Sequence, residues 1–237
     1  MEKSIILAIE TSSFVSSVAL VGSKKLFGEL TIENQKHHSE RLVPYIEELL
    51  EMSEIQKEEL SAIAVSTGPG SFTGLRIGMA TAKAIAYVLK IPVIGIPTLS
   101  GLSWNLFAEG ALLCPMMDAQ KGNVYSAMYE VRDGLIEEIR SVEVEPIKEV
   151  LGRIRDSKAM ILGEGNSLLE SLLVEYKMEK QRPPSHLCMP RAASVGYAAM
   201  ERLQNEDWDS LMDIIPEYIR RSEAEELWEK RQGESEG

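Results

Sequence analysis

The order of apolar runs, turns and helical patterns in this sequence predicts a mixed α/β protein built from two related lobes. The first observation lies at the start of the chain. An apolar run at residues 5–9 meets the polar stretch Glu10-Thr11-Ser12-Ser13, and strand patterns follow at 16–21 and 26–32 across Gly22-Ser23-Lys24-Lys25. The second is what comes next: a helix at 39–52, a strand at 62–66, a helix at 74–89 and a strand at 93–96. Three strands in a meander followed by alternating helices and strands is the order of a ribonuclease H-like lobe, not of a simple doubly wound sheet. The third is that the pattern restarts. A strand at 112–117 ends in Asp118, Gly122 sits in the turn, and strands follow at 124–131 and 135–144. Glu10 before Ser17-Val18-Ala19-Leu20 is matched by Asp118 before Val124-Tyr125-Ser126-Ala127, a weak internal repeat with a boundary near Pro97. The expected division is therefore 1–97 and 98–237, and 237 residues suffice to bury two lobes.

Each element has its own signal. In the helix at 39–52, Leu42, Ile46, Leu49 and Leu50 recur at helical spacing, with Glu47, Glu48 and Glu51 opposite. Pro44 fits there only near the first turn or with a kink. Residues 98–108 read as a connecting helix with Thr98 as N-cap after Pro97. Helices at 146–154 and 167–176 flank a strand at 159–162, and a loop at 181–185 leads to a small-residue helix at 192–203. Ser222 and Glu225 form a capping-box pattern that opens a charged helix running to Lys230, and 232–237 reads as a frayed tail.

Composition excludes several classes of function. Lysine and arginine number 25 against 37 acidic residues, a formal net charge of −12. That balance opposes a free-standing nucleic-acid binder and attraction to anionic membranes, but not work on nucleic acid beside a basic partner. Half of the imbalance falls within residues 29–60. It marks either a solvated helix face or an acidic docking surface. Cys114 and Cys188 have no metal or CxxC spacing and read as buried thiols. Glu10 cuts the first apolar run too short for a leader, and 84–97 is too short and too interrupted to span a bilayer. The chain is expected to be cytoplasmic. Its three histidines, His37, His38 and His186, supply no i, i+4 metal pair, and no Gly-x-Ser-x-Gly elbow is present. Neither a metal centre nor a catalytic triad is expected.

Three motifs remain. The glycine-rich turn at 68–74 follows a strand and opens a helix, as a phosphate cradle would, yet its spacing fits neither a dinucleotide fingerprint nor a Walker loop. It is either a structural turn or an anion site. Gly74, Gly78, Ala82 and Ala86 then recur every four residues. Such a stripe permits close approach either to the protein's own sheet or to a helix of another subunit. Finally, Glu10 and Asp118 each end a strand beside a turn. They are either turn formers or a pair facing across a cleft around a metal–phosphate group.

Several segments together resemble the TsaB (YeaZ) family: Ile6-Leu7-Ala8-Ile9-Glu10-Thr11-Ser12, His38-Ser39-Glu40-Arg41-Leu42, the long run from Ser66 to Gly78, Pro97-Thr98-Leu99-Ser100-Gly101-Leu102, Asp118-Ala119-Gln120-Lys121-Gly122-Asn123-Val124-Tyr125 and Pro216-Glu217-Tyr218-Ile219-Arg220-Arg221-Ser222. The resemblance implies an actin/sugar-kinase (ASKHA) fold of two ribonuclease H-like lobes, the second reduced. It implies a dimerisation subunit in the synthesis of threonylcarbamoyladenosine beside the tRNA anticodon. The catalytic paralogue TsaD would carry the metal, the ATPase TsaE would join the pair, and a homodimer would form in their absence. This chain would then hold no catalytic residue, metal or cofactor of its own, with ATP and metal in the partner subunits and tRNA met only through the complex. Pairing through N-terminal helices places Leu42, Tyr45, Ile46, Leu49, Gly74, Ile77, Gly78, Thr81 and Ala82 at the interface. Glu10, Thr11, Ser12, Asp118 and Gly122 would be a vestigial phosphate site, and Gly163-Glu164-Gly165-Asn166 a relic of an adenosine loop. The sequence departs from the family at Glu10, where many TsaB proteins carry aspartate. The alternative is an enzyme acting alone, an ATP-dependent phosphotransferase or carbamoyl transferase using Glu10 and Asp118 around Mg²⁺.

Overall fold

The computed structural model describes residues 4–33, 38–164 and 166–219. Strands β1 (Ile5–Glu10), β2 (Val15–Gly22) and β3 (Lys25–Glu33) form an antiparallel meander. β4 (Ala62–Gly68) and β5 (Val93–Pro97) extend it in parallel, giving the order β3-β2-β1-β4-β5. β1, β2 and β4 are buried along their whole length because helices cover both faces, which is why their apolar stretches at 5–9, 18–21 and 62–65 run without alternation. On one face Ile5, Leu7, Ile9, Val18, Leu20 and Ile63 pack against helices α1 (His38–Met52) and α2 (Phe72–Leu89). On the other, Ile6, Ala8, Ala19, Val21, Ala62 and Ala64 meet the helix at residues 192–204, described below, with Trp104 packed beside it.

The second sheet repeats the plan with one strand fewer. β6 (Leu112–Asp118), β7 (Asn123–Arg132) and β8 (Leu135–Pro146) are antiparallel, and β9 (Met160–Leu162) pairs in parallel with β6. The order β8-β7-β6-β9 matches the first four positions of the first sheet. Helices α4 (Ile147–Ile154) and α5 (Ser167–Tyr176) cover one face, and Leu99 and Leu102 of α3 (Thr98–Ser103) cover the other. The fold is thus mixed α/β with two ribonuclease H-like sheets, the second reduced.

Helix α6 (Ala192–Gln204) follows the second sheet in the chain but packs on the first. A Cβ on Gly196 would lie 2.6 Å from Val21 Cγ2, so the helix backbone rests almost directly on β2. The chain then runs back along the first lobe. Asp209 Oδ2 accepts from Gly95 N at 2.7 Å, the Arg202 guanidinium donates to Gly95 O at 2.9 Å, and Ile214 enters the first core. Residues 192–219, placed with the second lobe by sequence, therefore belong with the first. Helical periodicity says that a face is apolar, but not which sheet will cover it.

Smaller differences have local causes. Helix α2 starts at Phe72 because Ser71 caps it, its hydroxyl accepting from Gly74 N at 3.2 Å. Thr98 is the first residue of α3 rather than its cap; the cap is Pro97, and the helix gives way after Ser103 to a 3-10 turn at Trp104–Leu106. Pro44 lies within α1 on its exposed side, where water can replace the missing hydrogen bond. The expected loop at 181–185 runs between two 3-10 turns, Glu179–Gln181 and Ser185–Leu187. Cys114 and Cys188 are free and buried, and burial pushes the Cys114 thiol up to about 12. The capping-box pair Ser222 and Glu225, Lys230 and His37 lie outside the described residues.

Gly196→Val is expected to cost roughly 1–3 kcal/mol, because α6 must lift from β2 to admit the side chain. Urea unfolding measures it, and an unchanged midpoint would mean that α6 does not bear on the first sheet.

Candidate functional site

The carboxyl ends of β1, β4, β6 and β9 open onto one cleft between the lobes, the usual ligand position in open α/β sheets. Its volume is about 490 Å³. Ser12, Ser13 and Phe14 line it from the turn after β1, Pro69 to Phe72 from the glycine-rich turn, and Met117 to Gln120 from the end of β6. Tyr125, Glu164 and the segment Glu217-Tyr218-Ile219 complete the lining. Ser13 Oγ donates to Glu164 Oε1 at 2.7 Å, a hydrogen bond that joins the two lobes across the floor. Burial raises the pKa of Glu164, the Ser13 bond opposes that rise, and the charge of Glu33 adds to it.

The expected phosphate residues do not converge on this cleft. Glu10 is fully buried behind it, accepting from Ser12 N at 2.6 Å and from the Ser66 hydroxyl. Burial raises its pKa against the hydrogen bonds from Ser12 and Ser66. Asp118 is exposed in the cleft wall, where its Oδ1 accepts from Gln120 N at 2.8 Å and shapes the turn. The two carboxylates therefore do not face each other, and no group of three metal-ligating side chains occurs among the described residues. Thr11 is also committed, its hydroxyl donating to Gly74 O at 2.8 Å. Gly122 stands outside the lining at φ +80° and accepts from Ile147 N at 3.1 Å. Of the five residues only Ser12 and Asp118 reach the cleft.

The glycine-rich turn is packed against the protein itself. A Cβ would lie 2.5 Å from Glu217 O at Gly68, 2.3 Å from Ser12 O at Gly70 and 2.0 Å from Thr11 O at Gly74. Close approach to the chain's own carbonyls therefore accounts for these glycines without a ligand. Asn166, in the expected adenosine relic, instead caps α5 by accepting from Leu169 N at 2.8 Å.

The small-residue stripe likewise serves the protein's own sheet. At Gly78 a Cβ would lie 2.3 Å from Thr11 Oγ1, and Ala82 and Ala86 are buried in the first core. Leu42, Tyr45, Ile46 and Leu49 of α1 are in that same core. Gly74 is buried, and Ile77 and Thr81 are half-buried. The nine residues expected at a subunit interface thus lie mainly on the inner faces of α1 and α2. The outer faces carry other residues: Val43, Glu47, Glu48 and Glu51 on α1, and Ala80, Ala84, Tyr87 and Val88 on α2. Not all of the local acidity is free either, since Glu29 pairs with Arg191 and accepts from Ala193 N at 3.1 Å.

One feature of the site escapes motif reasoning, and a second is marked in sequence only by the family resemblance at residues 216–222. Phe14, 62 % exposed at the cleft mouth, has no neighbouring pattern in sequence. The segment 214–219 forms a strap over the glycine-rich turn, with Glu217 N donating to Thr67 O at 2.7 Å. Tyr218 lies 4.6 Å from Phe72 between ring centroids and accepts from Arg76 Nε at 3.0 Å, while the Arg76 guanidinium stacks 3.7 Å from the Phe72 centroid.

Residues 27–228 match the family model described as TsaD: tRNA N6-adenosine threonylcarbamoyltransferase. The Bacillus subtilis (strain 168) tRNA threonylcarbamoyladenosine biosynthesis protein TsaB is 30 % identical over 229 residues, covering 94 % of this chain and 97 % of that protein. The chain belongs to the TsaB family. The Haemophilus influenzae TsaB is 28 % identical over 245 residues, covering 98 % of this chain and 99 % of its own. In fold, the chain is similar to YeaZ from Pseudomonas aeruginosa, with a TM-score of 0.72 at 24 % identity over 90 % of this chain and all of that one. A second Pseudomonas aeruginosa structure, described as an uncharacterized protein with similarity to peptidase YEAZ, gives 0.75 at 24 % identity over 92 % of this chain and all of that one. Among the described residues of this TsaB-family chain, no helix is long and apolar enough to cross a membrane.

The buried Glu10 sets a pH signature. Its folded pKa is raised, so its contribution to stability is full below the ordinary carboxyl value of 4.5 and falls as pH rises through the folded value. Glu10→Gln removes that fall while Glu164 remains in both proteins. The stability of the variant relative to the parent is therefore expected to grow from acid to neutral pH in a urea-unfolding series. A difference independent of pH would contradict the buried, proton-retaining carboxyl.

Proposed function

We propose that this chain is a non-catalytic subunit in the synthesis of threonylcarbamoyladenosine in tRNA, which docks onto a TsaD-like catalytic subunit and activates it. Full-length similarity to proteins named TsaB carries the proposal. The geometry of Glu10 supports its non-catalytic part, because the carboxylate best placed by sequence for metal chemistry is enclosed by Ser12 and Ser66. ATP and metal then belong to the partner subunits, a TsaE-like ATPase joins the pair, a homodimer forms when they are absent, and tRNA is met only through the complex. The work is cytoplasmic.

The docking face is the outer side of α2 with the strap beside it. Ala80, Ala84, Tyr87 and Val88 lie at i, i+4, i+7 and i+8 on one exposed face, with small residues that let a second helix come near. Lys83 Nζ donates to Met212 O at 3.2 Å and to Ile214 O at 3.0 Å, which brings the exposed side chains of Met212 and Ile215 alongside. Tyr87, Val88, Met212 and Ile215 are each 67–74 % exposed, an apolar surface of the kind that marks protein contacts.

Ala84→Arg tests the interface where Gly78→Arg cannot, since a side chain at Gly78 would collide with Thr11 inside the monomer. The Ala84→Arg variant is expected to fold with an unchanged thermal midpoint, to lose co-elution with the TsaD-like subunit in size exclusion with light scattering, and to lower tRNA modification by the mixture at least about tenfold. Co-elution retained by this variant would overturn the face. ATP hydrolysis by the chain alone, abolished in Asp118→Ala, would overturn the non-catalytic role in favour of an enzyme acting by itself.

A further inference from the structure

The outer face of α2 carries one charge that the protein fixes in place but, among the described residues, does not pair. Arg76 is exposed in line with Ala80, Ala84 and Tyr87, at i, i+4, i+8 and i+11 of the helix. Its guanidinium lies 3.7 Å from the Phe72 ring centroid and 5.8 Å from that of Tyr218, and its Nε donates to the Tyr218 hydroxyl at 3.0 Å. Helix and strap thus hold the group between two rings. No carboxylate among the described residues pairs with it, and neither Nη1 nor Nη2 meets an acceptor there. With Nε engaged by Tyr218, the edge left open is the one formed by Nη1 and Nη2. Its parallel N–H groups match the two oxygens of a carboxylate. Lys83, the other cation of α2, is engaged within the chain, its Nζ donating to Met212 O and Ile214 O.

An arginine already held in place gives up little freedom when it pairs, so more of the pairing energy reaches the complex. The surroundings narrow what it pairs with. α2 contains no acidic residue, so a second copy packed helix against helix brings no carboxylate from its own α2 to Arg76. α1, which packs beside α2, turns Glu47, Glu48 and Glu51 to solvent, a field that repels a polyanion such as tRNA. We propose that Arg76 anchors the docked TsaD-like subunit by donating, through Nη1 and Nη2, to a carboxylate which that subunit presents opposite the first half of α2, and that this contact favours it over a second copy of the chain. The inference rests on the docking role proposed above and adds to it the charge that the partner must carry.

Isothermal titration of the full chain with the TsaD-like subunit, near 0.15 M ionic strength, tests it. Arg76→Gln should weaken binding at least about tenfold. Arg76→Glu should weaken it by about a further tenfold, because it sets like charges together. Arg76→Lys should cost several-fold, since one ammonium does not span both oxygens. Arg76 is exposed, so all three variants are expected to keep the parent's thermal midpoint to within about a few degrees. A residue that only held the strap would make the Gln and Glu variants alike. Added salt should weaken the parent's binding more steeply than that of Arg76→Gln. Self-association of the chain alone, followed by sedimentation equilibrium, should be no weaker in Arg76→Gln than in the parent. Parent-like binding by Arg76→Gln, equal losses in the Gln and Glu variants, or a parallel loss of self-association would each overturn the anchor. So would tRNA binding by the chain alone that Arg76→Gln abolishes. If Ala84→Arg loses the partner while Arg76→Gln keeps it, the docking face stands without the anchor, whereas a parent chain that does not bind the partner overturns both.

Discussion

The turn after β1 and the start of α2 are pressed together, with no side chain of α2 between them at Gly74 and Gly78. Thr11 O and Oγ1 lie where Gly74 and Gly78 would carry a Cβ, and Ser12 O lies where Gly70 would. Thr11 Oγ1 donates to Gly74 O, and Ser71 N donates to Ser12 O at 2.6 Å. This contact sets the depth at which α2 rests on the first sheet, and so which residues of α2 are left outside. It also settles the shape of the site: Ser12 N is turned onto Glu10, the carboxylate is enclosed, and the loop from Pro69 to Phe72 is held as a wall of the cleft. Any larger residue at these glycines would open the joint and release all three effects together.

The two sheets are held together by helices rather than by each other. α6 lies on the first sheet and α3 on the second, and the two meet where Gly101 would bring a Cβ 3.3 Å from Val195 Cγ2. Polar contacts hold this layer, with the Asn105 amide donating to Leu187 O and Met189 O and the Ser194 hydroxyl donating to Asn105 Oδ1. The cleft lies at the edge of this layer, at the strand ends. Its geometry is therefore governed by backbone packing, with the Ser13–Glu164 bond as a side-chain link between the lobes.

Much of this is legible in the chain before any coordinates. The doubly covered strands β1, β2 and β4 declare themselves by apolar stretches without alternation, and the restart at Leu112 announces a second sheet, which has the order of the first with one strand fewer. The glycines of α2 signal a close approach, but spacing alone does not say that the neighbour is Thr11 of the same chain. Glu10 is visible as a carboxylate at a strand end. Its enclosure is not, because the serine that completes it is Ser66, brought next to it by pairing of β1 with β4. The strap is marked by resemblance at residues 216–222, but its place over the glycine-rich turn is hidden for a related reason. Residues 205–219 carry no period, and they are held by single contacts such as Asp209 to Gly95 and Glu217 to Thr67. Long-range pairing of isolated residues leaves no local trace in sequence.

The return of α6 to the first sheet makes the second lobe an insertion within the first. That has a consequence for how the protein is made. When β5 leaves the ribosome, the alanine-rich face of its sheet, with Ile6, Val21, Ile94 and Ile96, has no cover, because the helix that covers it begins only at Ala192. At ordinary synthesis rates the intervening residues take roughly 5–20 s to appear. During that interval the nascent chain carries an open apolar sheet face, and the second lobe has the opportunity to fold first. The amino-terminal half of the protein is thus the last to be finished, and its completion depends on residues near the opposite end of the chain.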